Sequence, residues 1–201
     1  MPDRKVLPYV RRREVCLLLN AGDHATMRRA FEEAVGPELL GANVITSLER
    51  CTQFSRALRA GAAAPPVTLF AFADEEEARF AAVVATDLLC RAADVLCVKP
   101  SELAFWPLPK LMMRRVGGHE AASAVRAAEL GDGTPELRTA YEAAEFVGLL
   151  LRAPELLVAM NERVAANATA GVYDGCLEAA VAARAAIDEA AREPHLPATA
   201  E

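Results

Sequence analysis

The chain has 201 residues, a formal charge of -6 and 53% hydrophobic residues, which suits one domain whose core needs neither disulfide nor metal. The acidic balance argues against a general nucleic-acid binder. The strongest apolar run, residues 146–158, is broken by Arg152, Pro154 and Glu155 and is too short to span a bilayer.

Residues 1–13 carry Arg4, Lys5, Arg11, Arg12 and Arg13 against Asp3 and read as a basic, solubilising N-terminal segment. No apolar stretch with a cleavage site follows, so no secretory leader is predicted. Residues 14–19 read as a first strand. Residues 20–23 form a loop, and Asp23 is placed to cap a helix over residues 24–35. That loop holds one glycine, and Asp23, Glu32 and Glu33 would repel phosphate, so a simple capped turn is preferred to an anion site. Gly36-Pro37 ends the helix, Gly41-Ala42-Asn43 is a turn, and a helix is predicted over residues 44–59.

Residues 67–99 give the fullest supersecondary signal, after the Gly61 to Pro66 breaker. A nearly continuous apolar run, residues 67–72, predicts a strand covered on both faces. Asp74, Glu75, Glu76 and Glu77 suit a helix start, where negative charge meets the helix dipole. Phe80, Val83, Val84 and Leu88 recur at helical spacing. Residues 94–98 form the second strand of a predicted parallel pair joined by that helical crossover. Residues 102–110, with the single tryptophan Trp106, read as an aromatic flap against the sheet edge. Beyond it, helices are predicted over residues 119–130, from Thr134-Pro135, from Pro154, and over residues 173–192.

The fold class is therefore α/β: a small sheet of mostly parallel strands in two or three layers, with a helical C-terminal portion. The divisions are 1–13 (basic segment), 14–116 (α/β core), 117–192 (helices) and 193–201 (flexible tail). Five scattered cysteines show no CxxC or Cys/His spacing. They read as buried free thiols of a reducing compartment, cytoplasmic or nuclear. Arginine outnumbers lysine 19 to 3 and alanine supplies 43 residues, the coding bias of a GC-rich bacterium or large DNA virus.

No nucleophile elbow, phosphate loop, zinc spacing or dinucleotide fingerprint is present, so no catalytic residue, metal or cofactor is assigned. Asp74, Glu75, Glu76 and Glu77 form the one dense charge cluster, and four adjacent carboxylates can steer a basic partner.

The order of residues 29–35, then 41–58, then 67–98 with the acidic loop from Ala73 to Glu77, resembles the growth-arrest and DNA-damage-inducible stress-sensor family. That family shares an α/β/α sandwich with the ribosomal kink-turn-binding proteins. The resemblance covers residues 29–99. It implies that Asp74, Glu75, Glu76 and Glu77 form a partner-recognition loop, and that dimers form through helices. Gly41-Ala42-Asn43 resembles the start of the RNA-binding branch's motif, but Val44 and Ser47 replace its glutamate and lysine, so RNA binding is not implied.

The expected function is non-enzymatic regulation through protein–protein contact, which a host-interacting factor of a GC-rich DNA virus would fit. One alternative is an enzyme or small-ligand binder at the C-terminal strand ends, where ligands of open α/β sheets collect; Asp23, His24, Lys99 and Trp106 would line that edge. A second is a structural homodimer assembled through the C-terminal helices.

Overall fold

The computed structural model describes residues 6–73, 78–100 and 106–190. Asp74, Glu75, Glu76 and Glu77 lie outside the described residues, as do residues 102–105 of the predicted flap and the tail. The element order is α1 (Leu7–Arg11), β1 (Leu17–Gly22), α2 (Ala25–Val35), α3 (Pro37–Leu40), β2 (Val44–Ile45), α4 (Leu48–Arg59) and β3 (Val67–Ala71). It continues with α5 (Ala78–Cys90), β4 (Leu96–Val98), β5 (Lys110–Met112), α6 (Ala121–Leu130), α7 (Ala140–Arg152), α8 (Pro154–Thr169) and α9 (Gly175–Ala190). The protein is α/β, with parallel strands and a helical C-terminal portion.

The first sheet has the order β1-β3-β2, all parallel. Its central strand β3 is buried at every residue, as its continuous apolar run predicts. Alternate side chains serve opposite faces. Leu17, Leu19, Val67, Leu69 and Ala71 pack with Val10, Val35 and Leu40 on the side of α1, α2 and α3. Leu18, Phe70 and Phe72 pack with Cys51, Phe54, Ala81, Ala85 and Leu89 on the side of α4 and α5. The result is a three-layer sandwich.

The second sheet pairs β4 with β5 in parallel, Leu96 opposite Lys110 and Val98 opposite Met112. Single bridges from Lys110 to Gly133 and from Met113 to Leu137 extend it. Val98, Met112 and Ala127 pack on the α6 side, and Leu111, Leu137, Ala143 and Phe146 on the α7 side.

Several sequence expectations change. β3 and β4 do not pair with one another: β3 joins β1 and β2, while β4 joins β5. Crossover length permits a parallel pair but does not choose the neighbour. The basic N-terminal segment contains α1, which buries Leu7 and Val10. Strand β1 runs three residues beyond its expected end and takes in Asn20, whose side chain donates to Thr86 Oγ1 at 3.0 Å. Val44 and Ile45 form β2, because the N-cap of α4 is Ser47, whose hydroxyl accepts from Arg50 N. Thr134 does not start a helix. Its hydroxyl accepts from Met112 N inside the second sheet, and α7 begins after Thr139 with Glu142 completing a capping box. The portion predicted as helical from residue 117 thus also contributes Gly133 and Leu137 to a sheet, between α6 and α7. The thiols divide: Cys51 and Cys90 are buried, and burial pushes each up to about 11, whereas Cys16 and Cys97 are exposed.

Candidate functional site

In a parallel sheet ligands collect at the C-terminal strand ends. At the end of β1, Asp23 Oδ1 lies 3.6 Å from His24 Nε2 and Asp23 Oδ2 lies 3.8 Å from Arg79 Nε. His24 and Arg79 are largely solvent-exposed. His24, rather than Asp23, is the N-cap position of α2, and its side chain makes no cap bond. Lys99 follows β4 of the other sheet, where Nζ meets Glu120 Oε1 at 3.1 Å. Trp106 is half-buried ahead of β5. The predicted ligand edge is thus divided between the ends of two sheets.

At the second sheet's edge the chain's own carboxylates satisfy backbone N–H groups just ahead of the helices. Helix α6 is entered through Gly117 and a single 3-10 turn, Gly118–Glu120. The Glu120 carboxylate folds back to accept from Val116 N at 2.6 Å and Gly117 N at 3.3 Å. These bonds, Val116 first, outweigh the opposing effect of burial and hold its pKa below the usual carboxylate range. At α7, Glu142 accepts from Arg138 N at 2.6 Å and Thr139 N at 3.2 Å. Between them, Glu136 takes Arg115 N at 3.1 Å, with the Arg115 and Arg138 guanidinium groups at 3.6 and 3.8 Å.

The densest buried chemistry lies elsewhere. Lys110 opens β5 with no exposed side-chain surface, and Asp132, in the turn after α6, is equally enclosed. Lys110 Nζ stands 2.9 Å from Asp132 Oδ2, close enough for an ion pair yet off-line for a directed hydrogen bond. The Tyr173 hydroxyl donates to the same oxygen, and Lys110 Nζ lies 5.6 Å from the Tyr173 ring centre. Asp132 Oδ1 has no hydrogen-bond partner. Burial lowers the Lys110 pKa, only partly opposed by Asp132. Burial and the bond to Asp132 both raise that of Tyr173. Such a triad resembles acid–base machinery in composition. It sits at the N-terminal end of β5, opposite the ligand-collecting edge, and reads as internal anchoring. Sequence reasoning placed Lys110 at the end of a flap and missed it, because a lysine among Pro107, Leu108 and Pro109 carries no mark of its partner 22 positions on.

The other prominent feature is apolar and exposed. In α9 every described side chain from Leu177 to Asp188 is exposed, including Leu177, Val181 and Ile187. Among the described residues no cluster of His, Cys, Asp or Glu could hold a metal ion, and no helix is long and apolar enough to cross a membrane.

A family model described as a domain of unknown function, DUF6938, matches residues 4–184. No curated protein and no solved structure matches the chain.

Proposed function

We propose, for a chain that belongs to the DUF6938 family of unknown function, that it works by binding another protein, with α9 as the contact helix. The observation that carries this reading is the exposure of α9 on all its described faces, Leu177, Val181 and Ile187 included. Most helical stability in proteins comes from packing one face against a neighbour, and no described side chain of α9 from Leu177 to Asp188 is covered. Covering those three side chains would contribute roughly 1.5–3 kcal/mol each. Asp74, Glu75, Glu76 and Glu77, between β3 and α5 in the sequence, would add a basic-partner preference.

A photo-crosslinker in place of Ala180 in the full-length chain tests the proposal. Adducts with a discrete partner should form in the source cells and disappear in the Leu177→Glu, Val181→Glu, Ile187→Glu triple variant. Replacing Asp74, Glu75, Glu76 and Glu77 by Ser or Gln should weaken the same adduct. No discrete adduct, or one indifferent to the triple variant, would end the reading.

A further inference from the structure

We infer that α8 and α9 form an arm latched to the α/β body by the Lys110–Asp132–Tyr173 cluster, and that the arm undocks as a unit when the hydrogen bond from Tyr173 to Asp132 opens. It takes from the functional reading only that α9 contacts the partner; the latch is tested with no partner present.

Among the described residues, none of the four apolar clusters contains a residue beyond Leu150. Helix α8 buries only Met160 and Asn167, with Leu156, Leu157 and Val164 half-buried. Its polar contacts converge instead on one turn of the body. Arg163 Nε donates to the Leu130 carbonyl at 3.3 Å, and Asn167 Nδ2 donates to the same carbonyl at 3.2 Å. Asn167 Nδ2 also lies 3.4 Å from the Tyr173 hydroxyl, which in turn donates to Asp132. Gly131 holds that turn at φ +74°, and a side chain there would press on Arg163 at 3.2 Å. The receiving surface is therefore shaped for α8.

The attachment adds this polar cluster to a modest apolar contact beside α7, Met160 with the half-buried Leu156, Leu157 and Val164, and the polar part is the readily reversible one. An apolar interface opened to water loses its full hydrophobic stabilisation. Opening at Tyr173 instead returns water to two enclosed charges, and the hydration they regain offsets much of what the broken hydrogen bond contributed. Asp132 Oδ1, without a hydrogen bond when the arm is docked, gains one on opening. The arm carries α9 with it through the short turn containing Tyr173 and Asp174. The latch thus governs how the contact helix is presented.

Amide hydrogen exchange on the full-length chain across a denaturant series provides the test. In the wild type, amides of α8 should exchange through an opening that costs less, and depends less on denaturant, than the opening that exposes β3. Tyr173→Phe should speed exchange across residues 155–173 by about tenfold, the effect of removing one hydrogen bond to a charged group. β1, β3 and α5 should keep their wild-type rates. If α8 and β3 open together in the wild type, the latch is refuted without recourse to a variant. Equal acceleration throughout the chain in Tyr173→Phe, or none in α8, refutes it as well. Loss of crosslinked partner in the α9 triple variant bears on the functional reading alone.

Discussion

Replacing Lys110 by methionine should destabilise the chain by about 3–5 kcal/mol, the usual consequence of removing one member of a buried ion pair. Methionine keeps most of the side-chain length, so packing against Tyr173 changes little and the electrostatic effect dominates. Lys110 and Asp132 have no exposed side-chain surface, and Nζ lies 2.9 Å from Oδ2. Without the ammonium, Asp132 keeps only the Tyr173 hydroxyl, and its Oδ1 already lacks a hydrogen bond. The carboxylate then remains buried and uncompensated. Adding Asp132→Asn to Lys110→Met removes that stranded charge and should bring stability back to within about 1–2 kcal/mol of wild type. Urea unfolding followed by far-ultraviolet circular dichroism reads this directly, provided the slopes agree and only the midpoints move. A domain's whole stability is about 5–15 kcal/mol, so the midpoint should fall by a large fraction. A cost below about 1 kcal/mol for Lys110→Met would refute the reasoning, since the pair would have to be solvated. The pair also sets a pH dependence. Because burial lowers the folded-state pKa of Lys110, the unfolded chain binds more protons between that lowered value and the ordinary lysine value of about 10.4. This group's contribution to stability therefore rises with pH through that window, and Lys110→Met should flatten the rise.

Three further outcomes follow from buried contacts. Thr68 is 1% exposed in the centre of β3 and its hydroxyl has no hydrogen bond; Thr68→Val should stabilise by about 1 kcal/mol, read as a higher melting temperature, and a loss instead would mean the hydroxyl is satisfied. The depressed pKa of Glu120 means that its contribution is present above the unfolded carboxylate value of about 4.3 and is lost as pH falls through its lower folded value. Glu120→Gln should accordingly give a shallower fall in stability between neutral pH and that window, measured by urea midpoints. A Cβ at Gly148 would lie 2.5 Å from Tyr9 Oη and 3.1 Å from Arg152. Both atoms are the ends of long side chains that can swing aside without moving the α1 backbone, and Ala is favoured over Gly inside a helix by about 1 kcal/mol, so Gly148→Ala should leave the urea midpoint unchanged or raise it; a loss above about 2 kcal/mol would show that Tyr9 is held in place.

Periodicity and breakers in the sequence locate α2, α4, α6 and α8 to within a few residues, because a helix is closed by partners four positions away and its signals are local. The buried run of β3 was equally legible, since a strand covered on both faces is apolar throughout. β5 was not: three residues, Lys110–Met112, beginning with a charged one, satisfy no strand pattern. Likewise Val44 and Ile45 continue a helical spacing into α4, and only pairing with Leu69 and Phe70 makes them a strand. Of the candidate ligand edge, the residue types were visible, but their division between the ends of two sheets was not.

By itself, then, the sequence determined the α/β class, the parallel character of β3 and the helical C-terminal portion, all products of short-range chemistry. Only the tertiary structure decided which strands are neighbours, that Lys110 is a core residue, and that α9 keeps its apolar side chains in solvent. The first two depend on a partner distant in the chain: Val67 for Leu17 and Asp132 for Lys110. Burial of a charge is tolerable only once that distant partner has arrived, and local pattern carries no record of it.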